Sequence, residues 1–196
     1  MFLMNISGFS INDVLWRGLR NCQQESIQTA LNYLRRPLVG DVKSCLISLP
    51  TGAGKSGVIS VVSHKATQKK ILVLCHRRAV CDQLFADING KFFNERAPGE
   101  DISLKRAFSN IDDTTLNGIY VSTFQKLNTF TPSQLEQLRQ NIELIIIDEG
   151  HAEPSPVWSS LVRGMHAHKI VITATPYRND LFQFDISAES SFIYMI

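Results

Sequence analysis

"SLPTGAGKSG", residues 48–57, follows the apolar run 45–49 and opens a stretch with helical character over 56–65. A strand, a glycine-rich loop, Lys-Ser and a helix form an anion-binding arrangement, because N–H groups of the loop and of the helix start surround a charge that is otherwise costly to desolvate. Gly52 and Gly54 let the backbone wrap that closely. Thr51, Gly52, Ala53, Gly54, Lys55 and Ser56 then hold the phosphates of a nucleotide. Lys55 reaches the β- and γ-phosphates, and the Ser56 hydroxyl ligates Mg²⁺. The full pattern asks for glycine where this chain has Leu49. Taken alone, the loop therefore leaves open an ordinary turn with a capping lysine.

A second signal lies downstream. "LIIIDE", residues 144–149, is an apolar strand ending in adjacent carboxylates, and strand C-terminal ends are where α/β sheets bind ligands. Asp148 is suited to holding Mg²⁺ through water and Glu149 to polarising an attacking water, two jobs that need two carboxylates. Alone, the Asp-Glu pair could equally start a solvated helix.

Around these signals, near-continuous apolar runs at 44–49, 71–75, 118–122, 144–147 and 169–173 read as strands buried on both faces. They alternate with helical stretches at 21–35, 56–65, 77–93 and 132–141, which predicts an α/β fold with a parallel sheet between helices. Asn21 and Gln24 are placed as a capping box for the first of these. "NERAPGED", 94–101, reads as a polar loop.

The 196 residues, 44% apolar and 19% charged, suit one globular domain with a substantial core. A net charge of +2 announces no overall field for nucleic acid, so such binding needs a local patch. The N-terminus lacks the features of a signal peptide and no apolar run approaches ~18 residues, which gives the expectation of a cytoplasmic protein without a membrane partner. Cys22, Cys45, Cys75 and Cys81 show no C-x-x-C spacing and read as packed thiols. His166 and His168, spaced H-x-H, read as surface residues rather than zinc ligands.

Together the motifs resemble the superfamily 2 helicases and translocases, which include the DEAD/DEAH-box proteins and the type I and type III restriction translocases. "LRNCQ", 19–23, is similar to the L-R-x-x-Q segment upstream of the P-loop, and the resemblance makes Gln23 the amide that reads adenine. "LPTGAGKS" resembles motif I, in which this superfamily often has an apolar residue at the Leu49 position. "ILVLCHRRAVCDQ", 71–83, is similar to motif Ia, and "IYVSTFQKL", 119–127, to the Thr-x-Gln element that contacts the nucleic-acid backbone. "IIIDEGH", 145–151, resembles motif II, with Gly150 where DEAH proteins have alanine. "TATPYRND", 173–180, is similar to motif III of restriction-type and repair-type members.

The resemblance implies a P-loop NTPase with a RecA-like sheet, ATP and Mg²⁺ as cofactors, and Lys55, Asp148 and Glu149 as the catalytic set. It makes His151, Thr173 and Thr175 the residues that couple the phosphates to movement. His151 as an ordinary loop histidine stays open. Nucleic acid falls to His76, Arg77, Arg78, Thr123 and Gln125, groups that bind phosphates without reading sequence. From spacing alone, Arg77 and Arg78 could simply begin a surface helix.

Residues 1–180 are expected to form the N-terminal RecA-like ATP-binding domain of a longer protein. Residues 181–196 are expected to lead toward a second such domain; their alternative is an edge strand of the same sheet. The implied function is a nucleic-acid-dependent ATPase, helicase or translocase, with DNA favoured over RNA. Its partners would be the second RecA-like domain and nuclease or modification subunits. Without the arginine finger of that domain, the chain by itself is expected to hydrolyse ATP weakly. The alternatives are a non-motor P-loop phosphotransferase, disfavoured by the Arg-poor stretch 110–161, and a binding module regulated by ATP, which has no need of Glu149.

Overall fold

The computed structural model of the chain describes residues 3–6, 8–39, 43–149, 162, 164–175 and 186–194. It opens with an antiparallel hairpin, β1 (Leu3–Ile6) and β2 (Phe9–Asn12), and the short helix α1 (Asp13–Gly18), capped by the Asn12 side chain on the Val14 N–H. A seven-stranded sheet follows: β3 (Cys45–Ser48), β4 (Lys70–Cys75), β5 (Ala107–Phe108), β6 (Gly118–Thr123), β7 (Leu144–Asp148), β8 (His168–Thr173) and β9 (Phe192–Ile193). Their order is β5-β6-β4-β7-β8-β3-β9, with every pairing in that sheet parallel.

The five sequence-predicted strands all form because each is a run of apolar residues that only two covered faces can accept. The pleat sends alternate residues to opposite faces. Ile71, Val73, Leu144 and Ile146 join one core, with Ile27, Leu31, Val58 and Val62 of α2 (Asn21–Leu34) and α3 (Lys55–Lys65). Leu72, Leu74, Ile145 and Ile147 join the other, with Phe124 and Leu127 of α6 (Phe124–Leu127) and Leu138 of α7 (Pro132–Asn141). The result is a helix-sheet-helix sandwich, the α/β P-loop architecture expected of a RecA-like domain.

The structure differs from the sequence reading in three of its particulars. The cap of α2 lies one residue earlier, at Arg20, whose N–H donates to Gln23 Oε1 at 3.0 Å; arginine has no acceptor, so a side-chain rule could not select it. The helix expected over 77–93 is broken into α4 (Arg78–Ala86), a π-turn Asp87–Lys91 and α5 (Phe92–Arg96). Gly90, at φ 121°, takes a conformation that only glycine adopts readily and so ends regular helix there. His168 is buried at 5% exposure, not on the surface. As the first residue of β8 it bonds the Arg36 carbonyl through Nε2 (2.9 Å) and Gln68 through Nδ1 (3.4 Å). Part of the C-terminal tail forms the edge strand held open as the alternative above: Ile186 bridges to Ser44 and β9 pairs with β3.

Candidate nucleotide and nucleic-acid sites

The glycine-rich loop lies between β3 and α3, at the C-terminal ends of the strands. Gly52 (φ 80°) and Gly54 (φ 88°) both take left-handed backbone, as the wrapped loop requires, and Gly54 is the N-cap of α3. Ala53 is buried and its N–H donates to the Pro50 carbonyl (3.1 Å), while Thr51 is exposed. The start of α2 clamps this loop. Arg20 donates through Nη1 to the Gly52 carbonyl (2.7 Å), and Gln23 donates through Nε2 to that of Gly54 (3.0 Å). Gln23 therefore sits beside the loop, buried, with Arg20 and Gly54 as partners. The loop is also tied to β8, since the Leu49 N–H donates to the Thr173 carbonyl at 2.9 Å.

Strand order puts β8 between β3 and β7, so the loop and the two carboxylates share one end of the sheet. Lys55 Nζ lies 2.9 Å from Glu149 Oε1. Glu149 has left-handed backbone, φ 53°, a conformation that costs a non-glycine residue energy and that clusters at functional sites. Asp148, at the end of β7, is 6% exposed, and its Oδ1 has no hydrogen-bond partner among the described residues. Burial, with Glu149 beside it, pushes the Asp148 carboxyl up to about 6, against the pull of Lys55. An unsatisfied buried oxygen typically costs ~1–3 kcal/mol. A carboxylate kept that way beside a phosphate-type loop fits a hydrated divalent cation, and Mg²⁺ is the ion this donor chemistry suits.

Ser56 faces elsewhere in this conformation. Its side chain hydrogen-bonds the buried carboxylate of Asp87, on the π-turn, where burial raises the carboxyl and the Ser56 bond lowers it. The hydroxyl donates to Asp87 with its one proton and keeps its oxygen lone pairs for a cation. Thr173 is fully buried at the end of β8 and its Oγ1 accepts the Thr175 N–H (3.2 Å), while Thr175 itself is exposed. His151 lies outside the described residues.

On the other side of β7, β4 and β6 are neighbours, and Cys75 is in register with Thr123. This brings the residues assigned to nucleic acid together. The His76 ring packs edge-on to Phe124, with centroids 5.2 Å apart. Arg77 is the N-cap of α4 and Arg78 its first residue, so the two begin a surface helix, and both are exposed. Gln125 is exposed. Thr123 is half-buried and caps α6 by accepting the Lys126 N–H (3.4 Å). Lys126 is already paired with Asp112 at 2.8 Å and lies over Phe130.

Sequence reasoning missed Arg20, Asp87 and Phe92. Arg20 lies within the quoted "LRNCQ" but carries no local signal of its contact with Gly52; nothing local marks Asp87 or Phe92, which follow the break of the helix at the π-turn.

A P-loop sheet with strand-end carboxylates and a parallel neighbour carrying basic and hydroxyl groups defines a helicase-type ATP-binding domain. The family model for the type III restriction enzyme res subunit matches residues 17–178, and the chain belongs to that family. No curated protein matches the chain. No helix among the described residues is long and apolar enough to cross a membrane.

Proposed function

We propose that this chain is the N-terminal motor domain of a DNA helicase or translocase, which couples ATP hydrolysis to movement on or unwinding of the duplex. The observation that carries the reading is the meeting of Lys55 with Glu149 beside the unsatisfied Asp148 oxygen. On this reading the loop N–H groups and the α3 N-terminus bind the phosphates. Lys55 leaves Glu149 for the β- and γ-phosphates, and Glu149, freed of its ion pair, orients and deprotonates the attacking water. Asp148 and Ser56 would hold Mg²⁺, which neutralises charge developing on the phosphoryl oxygens. Thr173, tied to the loop through its carbonyl, registers the loss of the γ-phosphate, with Thr175 and His151 as further coupling residues.

His76, Arg77, Arg78, Thr123 and Gln125 hold the DNA backbone on the adjoining strands. The arginine finger belongs to a second RecA-like domain of the parent protein, with nuclease or modification subunits as further partners in a cytoplasmic restriction system. Such a finger is worth ~10³–10⁵ in rate, so this chain turns ATP over slowly when alone. Phosphate release measured with single-stranded DNA, duplex DNA and RNA tests the reading. Stimulation by DNA that Arg77→Ala and Arg78→Ala together remove supports it; turnover indifferent to every nucleic acid contradicts it.

A further inference from the structure

Beside the loop lies a cleft of about 250 Å³, bounded by the α1–α2 turn and Gln23 on one side, by Gly54 and Gly57 beneath, and by Asp87, Phe92 and Glu95 on the other. It is smaller than the ~300–1,000 Å³ of pockets that enclose a whole drug-sized ligand. It opens directly off the phosphate loop, so its size suits one planar portion of a nucleotide whose phosphates lie outside it.

Phe92 meets the floor of this cleft. A Cβ added at Gly57 would lie 2.6 Å from Phe92 Cε2, 2.9 Å from its Cζ and 3.1 Å from Gln23 Nε2. No side chain fits there without moving the ring. The ring is braced from behind: it packs edge-on to Phe93 (centroids 5.4 Å), Phe93 packs edge-on to His64 (5.1 Å), and His64 Nε2 bonds the Ile88 carbonyl (2.8 Å). Burial pushes His64 down to about 4, so it is a neutral part of this stack at ordinary pH.

We propose that Phe92 is the apolar wall of the nucleobase subsite, and that glycine stands at position 57 to admit the ring and the base together. The inference rests on the nucleotide reading above and adds a residue to it. A planar base gains contact area against the ring, while the Gln23 amide, fixed by Arg20 and Gly54, keeps one N–H and one lone pair for the base edge. The π-turn gives this wall a tie to the other site. α4 begins at Arg78 and leads through Asp87, bonded to Ser56, straight to Phe92, so one continuous segment runs from the nucleic-acid face to the base.

The test compares ATP with inorganic tripolyphosphate, both with Mg²⁺, since the second has no base. Equilibrium binding of each is measured for the unaltered chain, Phe92→Ala, Phe92→Leu and Gly57→Ala, with thermal melting of each variant. Aromatic stacking on a base is worth enough that Phe92→Ala should weaken ATP by about tenfold or more while tripolyphosphate binds as before. Phe92→Leu, which keeps apolar bulk without the flat face, should show the same split to a smaller degree. Gly57→Ala should weaken ATP as well, and adding Phe92→Ala to it should cost less than Phe92→Ala alone, because the two positions share one contact. Equal loss of both ligands in Phe92→Leu, or unchanged ATP affinity in Phe92→Ala, overturns the proposal. An unaltered chain that binds tripolyphosphate but gains nothing from the base also overturns it, and one that binds neither ligand overturns the nucleotide reading itself.

Discussion

The two ends of the sheet hold their buried ionisable groups in opposite ways. At the N-terminal end, His168 has partners on both ring nitrogens, Lys169 donates through Nζ to the Met165 carbonyl (2.9 Å), and the Tyr33 hydroxyl accepts the Lys169 N–H (2.9 Å). Behind it, the half-buried Lys105 donates to the Ser63 and Ala66 carbonyls at the end of α3. At the C-terminal end, Asp148 keeps an oxygen without a partner among the described residues, Glu149 holds left-handed backbone, and Gly52 and Gly54 hold an open loop. At the first end the ionisable groups His168 and Lys169 are paired, as a structural network favours, although Gln68 Oε1 and Ser63 Oγ there have no partner among the described residues. The second is costly for the protein alone, and the cost falls where a phosphate and a cation would relieve it.

This contrast can be broken most decisively at Lys55. Lys55→Ala removes the cation that meets Glu149 and should lower ATP affinity by more than tenfold, with the melting curve little changed; a titration of ATP-Mg²⁺ with a parallel melt checks both. If Lys55→Ala unfolds the chain, the site end is structural and the contrast fails.

Asp148 sharpens it through stability. Its carboxyl is raised to about 6, so the folded state favours the neutral form, and that advantage is present below the ordinary carboxylate range and lost as pH rises through about 6. Asp148→Asn, which never ionises, should therefore be more stable than the unaltered chain at pH 7.5, by about 1–3 kcal/mol, and nearly equal to it at pH 4. Urea unfolding at the two pH values decides this. A loss of stability at pH 7.5 would mean that Asp148 is held by favourable contacts and not in readiness for a cation.

His64 runs the other way. Its pKa is lowered to about 4 by burial, so the folded state binds fewer protons than the unfolded chain. Its contribution is whole above pH 6.5 and lost as pH falls toward 4. His64→Gln should flatten the fall in stability across that window by about 1–3 kcal/mol. The smallest effect belongs to the end where the ionisable groups are paired. Tyr33→Phe removes the hydroxyl that accepts the Lys169 N–H and should cost about 1–2 kcal/mol with ATP affinity unchanged, which a melt and a titration together establish.

The contrast also explains what was legible in the sequence. The strands could be read because a sheet covered on both faces leaves apolar runs such as 144–147 with no other use. The loop and Asp148–Glu149 could be read because the chemistry needs those residue types at strand ends. The N-terminal hairpin is too short to show a period, and β5 and β9 are two residues each, below any pattern. His168 looked solvated because H-x-H is polar by composition, whereas its partners, Arg36 and Gln68, are distant in the chain. Phe92 and Asp87 reach the nucleotide loop only through the turn at Gly90, which the apolar spacing of 77–93 does not announce. Positions set by local pattern were visible, and positions set by a bend in the backbone were not.

The central claim is that the strand-end constellation is built to hydrolyse a bound nucleotide, and Glu149→Gln tests it most directly. The substitution keeps shape and removes the base, so ATP-Mg²⁺ should bind at least as tightly as before, since Lys55 is released from its ion pair, while phosphate release falls by about 10²–10⁴-fold from whatever rate DNA elicits. Phosphate release at the original rate, or a loss of ATP binding equal to that in Lys55→Ala, would contradict it.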